Sequence, residues 1–357
     1  MPDPRFIDVS GATPPDLDPW EPELFTADEI AAEVARLAAL PPPANGRRES
    51  LFVHPRAMAP GQGLAPGIRV TLGVLLPGER TRPVRHTSTV VGFCIQGGGA
   101  AVIDGRPVRF GRYDIWNHPS FRPYHIENDT DEIQVRLSYS NAPVLEHLHV
   151  HVVEEDPPVA AAVVNEGDDD PRRHSPFGTF ALDDEGAMLM PYETLINPPS
   201  APSPALHWRW EDVRAHLDKL DALGDDYIGR RLYLLYNPLT GRTNGTTPSF
   251  FATMTIRPPG IVDRPHRHVS AAINYFFHGR GHSHIAGRRY EWQAGDLMFT
   301  APGWAIHHHA SEDDDYVYEL TVQDQPFHLA LESLLWQEDL RRPARLLGSE
   351  PGFATNR

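Results

Sequence analysis

The chain has 357 residues, with 36 prolines, 28 glycines and 40% hydrophobic content, which suits two turn-rich domains that each bury a core and argues against wholesale disorder. A formal net charge of −16 disfavours nucleic acid and anionic membrane surfaces as partners. The opening Met1-Pro-Asp-Pro-Arg-Phe6 lacks a basic, apolar signal segment, no apolar run approaches membrane length, and one cysteine excludes an intrachain disulfide; the chain reads as cytoplasmic, with Cys94 a small core residue of the apolar run 90–95.

In chain order, Thr26-Ala-Asp-Glu29 is a capping-box signature and predicts a helix over 29–40, where Ile30, Val34, Leu37 and Leu40 recur at helical spacing. Beyond it, short apolar alternations with Gly or Pro punctuation every eight to twelve residues or so predict an all-β sandwich or jelly roll. Residues 146–153 alternate as a strand does, which aims His147, His149 and His151 to one face of a half-exposed strand near the interdomain joint. Glu154-Glu-Asp-Pro-Pro158 and Asp168-Asp-Asp-Pro171 mark an acidic, proline-punctuated connection, read as a solvated loop. A second helix is predicted over 211–223, stopped by Gly224. The resulting division is an extension with a helix (1–50), a first barrel (51–153), a linker with a helix (154–229), a second barrel (230–335) and a tail (336–357).

The two barrels are an internal repeat. Pro77-Gly78, Arg82-Pro83, His86 and Ser88 lie over Pro259-Gly260, Arg264-Pro265, His268 and Ser270 at an offset of 182 (268 − 86). Continued without gaps, the same offset lays Gly97, Gly99, Gly105, Asp114 and His125 on Gly279, Gly281, Gly287, Asp296 and His307.

Histidines give the second repeat its chemistry. Alternate side chains of a strand share a face, so His266 and His268 point one way, as do His307 and His309, with His308 outward. Three imidazoles converging inside a barrel make a metal site. In the first repeat Val84 stands where the second has His266, leaving His86 and His125; two histidines hold a catalytic metal poorly, so that barrel reads as structural. His282 and His284 alternate on the next strand, facing either the pocket or solvent, and His118 is a further histidine of the first half.

Gly260, Pro265-His266-Arg267-His268, Gly279, Gly281, Gly287, Gly295-Asp296, Pro302-Gly303 and His307 stand in the order of the two cupin metal motifs, except that Ala272 occupies the glutamate ligand's place. Together with Pro302-Gly-Trp304-Ala-Ile-His307-His-His309, this run resembles the gentisate and salicylate 1,2-dioxygenase group of bicupins, strongest at the second cupin. The resemblance implies two tandem double-stranded β-helix (jelly-roll) barrels and one Fe(II) per chain held by His266, His268 and His307, with no organic cofactor. It further implies positions on the ion left open for a small aromatic substrate and O2, and cleavage of the ring of a hydroxylated or amino-substituted compound. The better-known gentisate enzymes carry iron in the N-terminal barrel, the reverse of the arrangement here. His309 corresponds to a histidine that contacts substrate or oxygen, a position from which a neutral imidazole accepts a phenol or amine proton.

The group's carboxylate-binding arginine is replaced by Asn274, which hydrogen-bonds but lacks the charged fork that selects a carboxylate. Another arginine must then supply the charge, with Arg257, Arg267, Arg288 and Arg289 as candidates, or the substrate carries a different chelating pair. Trp304 and Tyr275 serve as cavity or core aromatics. Two other readings stay open: a Zn- or Mn-dependent isomerase or lyase acting on a small acid, and a non-catalytic ligand-binding cupin. Bicupins of this kind are expected as homo-oligomers, dimer or tetramer, with no nucleic-acid or membrane partner.

Overall fold

The computed structural model describes residues 5–158, 178–182, 184–192, 203–312 and 314–352; the acidic run 168–171 lies outside them. Two six-stranded antiparallel sheets dominate. One orders His207–Trp208, Ile115–His118, Val90–Gln96, Gln134–Ser140, Arg69–Leu75 and Arg48–Phe52; the other orders Glu23–Phe25, Leu297–Ala301, Ala272–His278, Val317–Gln323, Phe251–Arg257 and Arg231–Leu234. Each is closed into a barrel by a smaller sheet. In the second half this is Arg288–Gln293, Arg280–Ile285 and His307–Ser311, flanked by Arg267–His268, Leu335–Gln337 and Arg345–Leu346. Inward residues of the large sheets form one apolar core that runs through both barrels, and Phe93 meets Tyr275 and Phe277 at ring-centroid distances of 5.7 and 5.9 Å.

The first helix spans Ala27–Ala39, with Thr26 and Glu29 capping each other and Ile30 and Leu37 buried; the second spans Trp210–Asp221. The expected strand at 146–153 does not form. Ala142–His147 is a short helix begun by Asn141 with proline in its first turn, and His149 turns through φ 58°. Proline fits the first turn of a helix because its missing N–H has no partner there anyway. Its counterpart in the second half is the helix Gln325–Ala330. The segments read as extension and tail also join the second barrel: Glu23–Phe25 pairs with Leu297–Ala301, and Leu335–Gln337 pairs with Arg267–His268.

The repeat is real, but its offset changes once. In the first half Val91 pairs with Asn117 and Val90 with His118; in the second, Ile273 pairs with Phe299 but Ala272 with Ala301. Thr300 is thus the extra residue of a β-bulge, and its hydroxyl donates to Asn274 Oδ1 at 2.6 Å. Before the bulge the offset is 182 (266 − 84), after it 183 (307 − 124), as the matched bridges Val84–Tyr124 and His266–His307 show. The expected pairing of His125 with His307 is therefore corrected. Tyr124 holds the ligand position in the first barrel, and His125 lies 3.6 Å from Glu127. A one-residue slip moves every side chain of a strand to the other face, which no ungapped comparison of sequences reveals.

Beside Tyr124, the first barrel offers Val84 and His86, and His86 Nε2 sits 3.0 Å from the Tyr124 hydroxyl. Side chains fill its interior. Trp116 stacks on Phe110 at 3.9 Å, and a Cβ on Gly92 would lie 2.4 Å from the Trp116 ring, one on Gly73 2.7 Å from the Arg136 guanidinium. Cys94 is a buried thiol whose pKa burial raises to about 12, an inert core residue.

One difference between the halves predicts a pH dependence of stability. Asn141 Oδ1 accepts from Thr89 N–H at 3.0 Å, and in the matched position Asp324 Oδ1 accepts from Ala271 N–H at 2.8 Å. Burial raises the Asp324 carboxyl to about 7 against the lowering effect of that hydrogen bond. The folded chain therefore holds a proton that the unfolded chain releases from about pH 4, and its stability falls as pH rises from there to about 7. Asp324→Asn is expected to stabilise the protein by about 2–4 kcal/mol at pH 8 and by little at pH 4, measured by denaturant unfolding at both; an equal change at the two pH values would contradict it.

Candidate metal centre and substrate cavity

His266, His268 and His307 come together across the mouth of the second barrel. His266 and His307 exchange backbone hydrogen bonds of 3.1 and 2.9 Å, which brings their rings to 4.5 Å, while His268 lies 4.7 Å from His307. Each Nδ1 faces a backbone carbonyl: Arg264 at 3.0 Å, Ser270 at 2.9 Å and Ala305 at 2.9 Å. A carbonyl only accepts, so each Nδ1 carries the proton and each Nε2 presents its lone pair. Ligand atoms of the three lie within 4.8 Å of one another. Burial, first of all, holds the imidazoles below their ordinary pKa, with His268 well below and His307 at about 3. Three neutral, buried, carbonyl-oriented nitrogens fit a divalent transition metal with coordination positions to spare.

Next to this triad, His309 is buried and Ser283 Oγ lies 2.7 Å from its Nδ1. The Trp292 indole, which can only donate, gives its N–H to the same Ser283 oxygen at 2.9 Å. Among the described residues no other acceptor faces the Ser283 hydroxyl, so its proton goes to His309 Nδ1 and the hydrogen of the neutral ring is assigned to Nε2. Trp292 is fixed by face-to-face stacking on Phe276 at 3.8 Å, and a Cβ on Gly281 would lie 2.4 Å from its ring. Burial keeps His309 well below its ordinary pKa.

The four histidines line a cavity of about 480 Å³. Leu232, Leu234 and Phe251 supply apolar wall; Thr253, Thr255, Asn274 and Thr321 are polar; Arg230, Glu319 and Glu338 bring charge; and Trp336 completes the lining beside the triad. Asn274 Nδ2 donates to Thr321 Oγ1 at 2.9 Å.

The cavity lining excludes the arginines named from the sequence. Arg257 is fully buried and held by Asp263 at 2.8 Å and Glu319 at 3.2 Å, so its charge is absorbed in an internal network. Arg267 donates to Gln337 at 2.6 Å and stacks over Trp304 at 4.5 Å, which takes both away from the lining. Arg289 is exposed and pairs with Glu291, and Arg288 is exposed as well. The cation that does line the cavity is Arg230, paired with Asp263. Burial pushes the Asp263 carboxyl up, but Arg230 and Arg257 together hold it below the usual carboxylate range. Arg230 lies at the head of the Arg231–Leu234 strand, at the expected start of the second barrel; its inward aim depends on pairing with Phe251–Arg257. His308 and His284 face outward and stack on each other at 4.9 Å, and His282 pairs with Glu312 at 3.1 Å.

A family model described as an AraC-like ligand binding domain matches residues 254–345. The chain is 26% identical over 339 residues to a 1-hydroxy-2-naphthoate 1,2-dioxygenase of Nocardioides sp. (strain KP7), covering 93% of this chain and 80% of the relative. It is 24% identical over 245 residues to gentisate 1,2-dioxygenase 1 of Aquipseudomonas alcaligenes, covering 68% and 66%. The salicylate 1,2-dioxygenase of Pseudoaminobacter salicylatoxidans, solved as an adduct with gentisate, superposes with a TM-score of 0.73 at 20% identity over 96% of this chain and 91% of that one. The chain has the bicupin fold of that salicylate 1,2-dioxygenase and is similar over most of its length to the naphthoate and gentisate enzymes. In this bicupin, the second barrel carries the three-histidine triad and the first offers a valine, a histidine and a tyrosine at the matched positions.

Proposed function

We propose that this bicupin is a ferrous dioxygenase that cleaves the ring of a small hydroxylated or amino-substituted aromatic acid. The observation that carries the reading is the buried set of three Nε2 donors opening on a mixed-polarity cavity, in a chain whose relatives are ring-cleaving dioxygenases over most of its length. Bound there, Fe(II) would supply Lewis-acid chelation of adjacent substrate oxygens and activation of O2. The protein's own share is positioning. Arg230 offers a charged donor for the carboxylate, Leu232, Leu234 and Phe251 take the ring, and His309 donates from Nε2 to a substrate or oxygen atom. The partner is a small aromatic molecule together with O2; no helix among the described residues is long and apolar enough to cross a membrane, and we place the chain in the cytoplasm as a homo-oligomer.

An oxygen electrode and a panel of aromatic acids test the reading on anaerobically purified, iron-loaded protein. Oxygen uptake, with both atoms of labelled O2 in a ring-opened product, is the expected result. Turnover without oxygen would make the protein a metal-dependent isomerase or lyase, and ligand binding without turnover a binding cupin.

Arg230 can be tested separately. Arg230→Gln is expected to raise KM for a carboxylate substrate about 10-fold or more with a smaller change in kcat, as for loss of a charge-assisted hydrogen bond of about 1.5–3 kcal/mol. Asp263 keeps Arg257 as its partner in that variant. Arg289→Gln, on the outer surface, serves as the control and is expected to leave KM unchanged.

A further inference from the structure

Glu338 follows the Leu335–Gln337 strand, which pairs Trp336 with His268 and Gln337 with Arg267. The Trp336 ring stacks on His268 at 4.4 Å, and its indole N–H donates to Glu338 Oε2 at 2.8 Å. Gln337 closes the following turn by donating to the Arg342 carbonyl at 2.6 Å. The carboxylate is thus fixed by a ring that is itself fixed against a member of the triad. Its other oxygen, Oε1, is sealed from solvent and has no hydrogen-bond partner among the described residues, although Glu338 lines the cavity. Arg230, which also lines the cavity, pairs with Asp263.

Buried polar atoms in folded proteins are nearly always hydrogen-bonded, and one left alone is costly, more so when it carries charge. A carboxylate oxygen accepts and does not donate, so what satisfies Oε1 is a donor that enters the cavity. Ring carbons cannot serve; a hydroxyl or amino substituent can. We infer that Glu338 determines specificity by accepting, at Oε1, a hydrogen bond from a hydroxyl or amino group of the aromatic ligand, an inference that rests on the function proposed above. The site then takes acids that carry, besides the groups next to the carboxylate, a further donor on the ring. A buried acceptor built for a donor rejects the analogue lacking it, because the acceptor is left unpaired.

Calorimetric titration of the anaerobic ferrous protein with salicylate and with a panel of dihydroxybenzoates and amino-hydroxybenzoates tests this. In the wild type at least one panel member is expected to bind about 10-fold or more tighter than salicylate. Glu338→Gln keeps an oxygen for Trp336 while removing the charge, and Glu338→Ala removes both. In each variant the advantage is expected to fall to within about twofold, with iron content unchanged and salicylate bound no more weakly than by the wild type, since the unpaired acceptor is gone. An advantage that persists in both variants, or a wild type that binds salicylate and every panel member alike, overturns the inference while leaving the functional reading intact. Loss of iron from Glu338→Gln overturns it by making Glu338 a metal ligand. Failure of the wild type to bind any of these acids overturns the functional reading itself and the inference with it.

Discussion

His266→Ala and His307→Ala are each expected to strip the protein of nearly all its bound metal and to reduce turnover to background, whereas His86→Ala leaves both in place. Each triad imidazole has its Nδ1 held by a backbone carbonyl and presents a single Nε2, so each loss leaves two neutral nitrogens, which are a weak site. In the first barrel the Tyr124 hydroxyl already occupies His86 Nε2 and Val84 supplies no donor, so nothing bound there is at stake. Metal analysis of anaerobically prepared protein gives the readout, with one ion per chain expected. A stoichiometry near two, or loss of metal from His86→Ala, would overturn the assignment. Because burial keeps the triad neutral, metal content should also stay level as pH falls to about 6, where protons already compete for ordinary imidazoles.

His309→Ala is expected to keep the metal and lose turnover by about 10²-fold or more, in the range of a single positioned acid–base or hydrogen-bonding group. The ring sits in the cavity beside the triad, 5.8 Å from His307 between centroids, yet its Nδ1 is taken by Ser283, which in turn accepts from Trp292. That chain leaves a donor at Nε2, so the neutral ring begins as a hydrogen-bond donor, where the resemblance implied a proton acceptor. His309→Gln, whose amide can present an N–H at a similar reach, is expected to retain more activity than His309→Ala. Equal losses in the two variants would argue for proton acceptance, and loss of metal along with activity would make His309 a ligand. Ser283→Ala provides a milder version of the same test, since it frees Nδ1 without removing the ring.

Much of this was legible without coordinates, because some physical rules act over a few residues. Period-two alternation placed His266 with His268 and His307 with His309; a capping box announced the first helix, expected over 29–40 and found at Ala27–Ala39; recurring Gly and Pro at a nearly constant offset announced two like barrels. Alternation misled where it had no sheet to join, at 146–153, since Pro143 and the cap at Asn141 favour a helix.

What only the tertiary structure decided depends on contacts between distant segments. The bulge at Thr300 shifts the register by one residue and gives Tyr124, not His125, the ligand position of the first barrel; that extra residue is visible only when strands are paired. Arg257 has the right parity for the cavity but is claimed by Asp263 and Glu319, because a fully buried guanidinium is tolerated only when its charge is matched. Arg230 and Glu338 were passed over for a shared reason. One stands at the head of the strand leading into the second barrel and the other in what reads as a tail, and each reaches the cavity only because its strand is paired there, Arg231–Leu234 with Phe251–Arg257 and Leu335–Gln337 with Arg267–His268. Local sequence sets which face a side chain takes, while its neighbours on that face are set by strand pairings across tens of residues, whose free energy comes from burying the whole sheet at once.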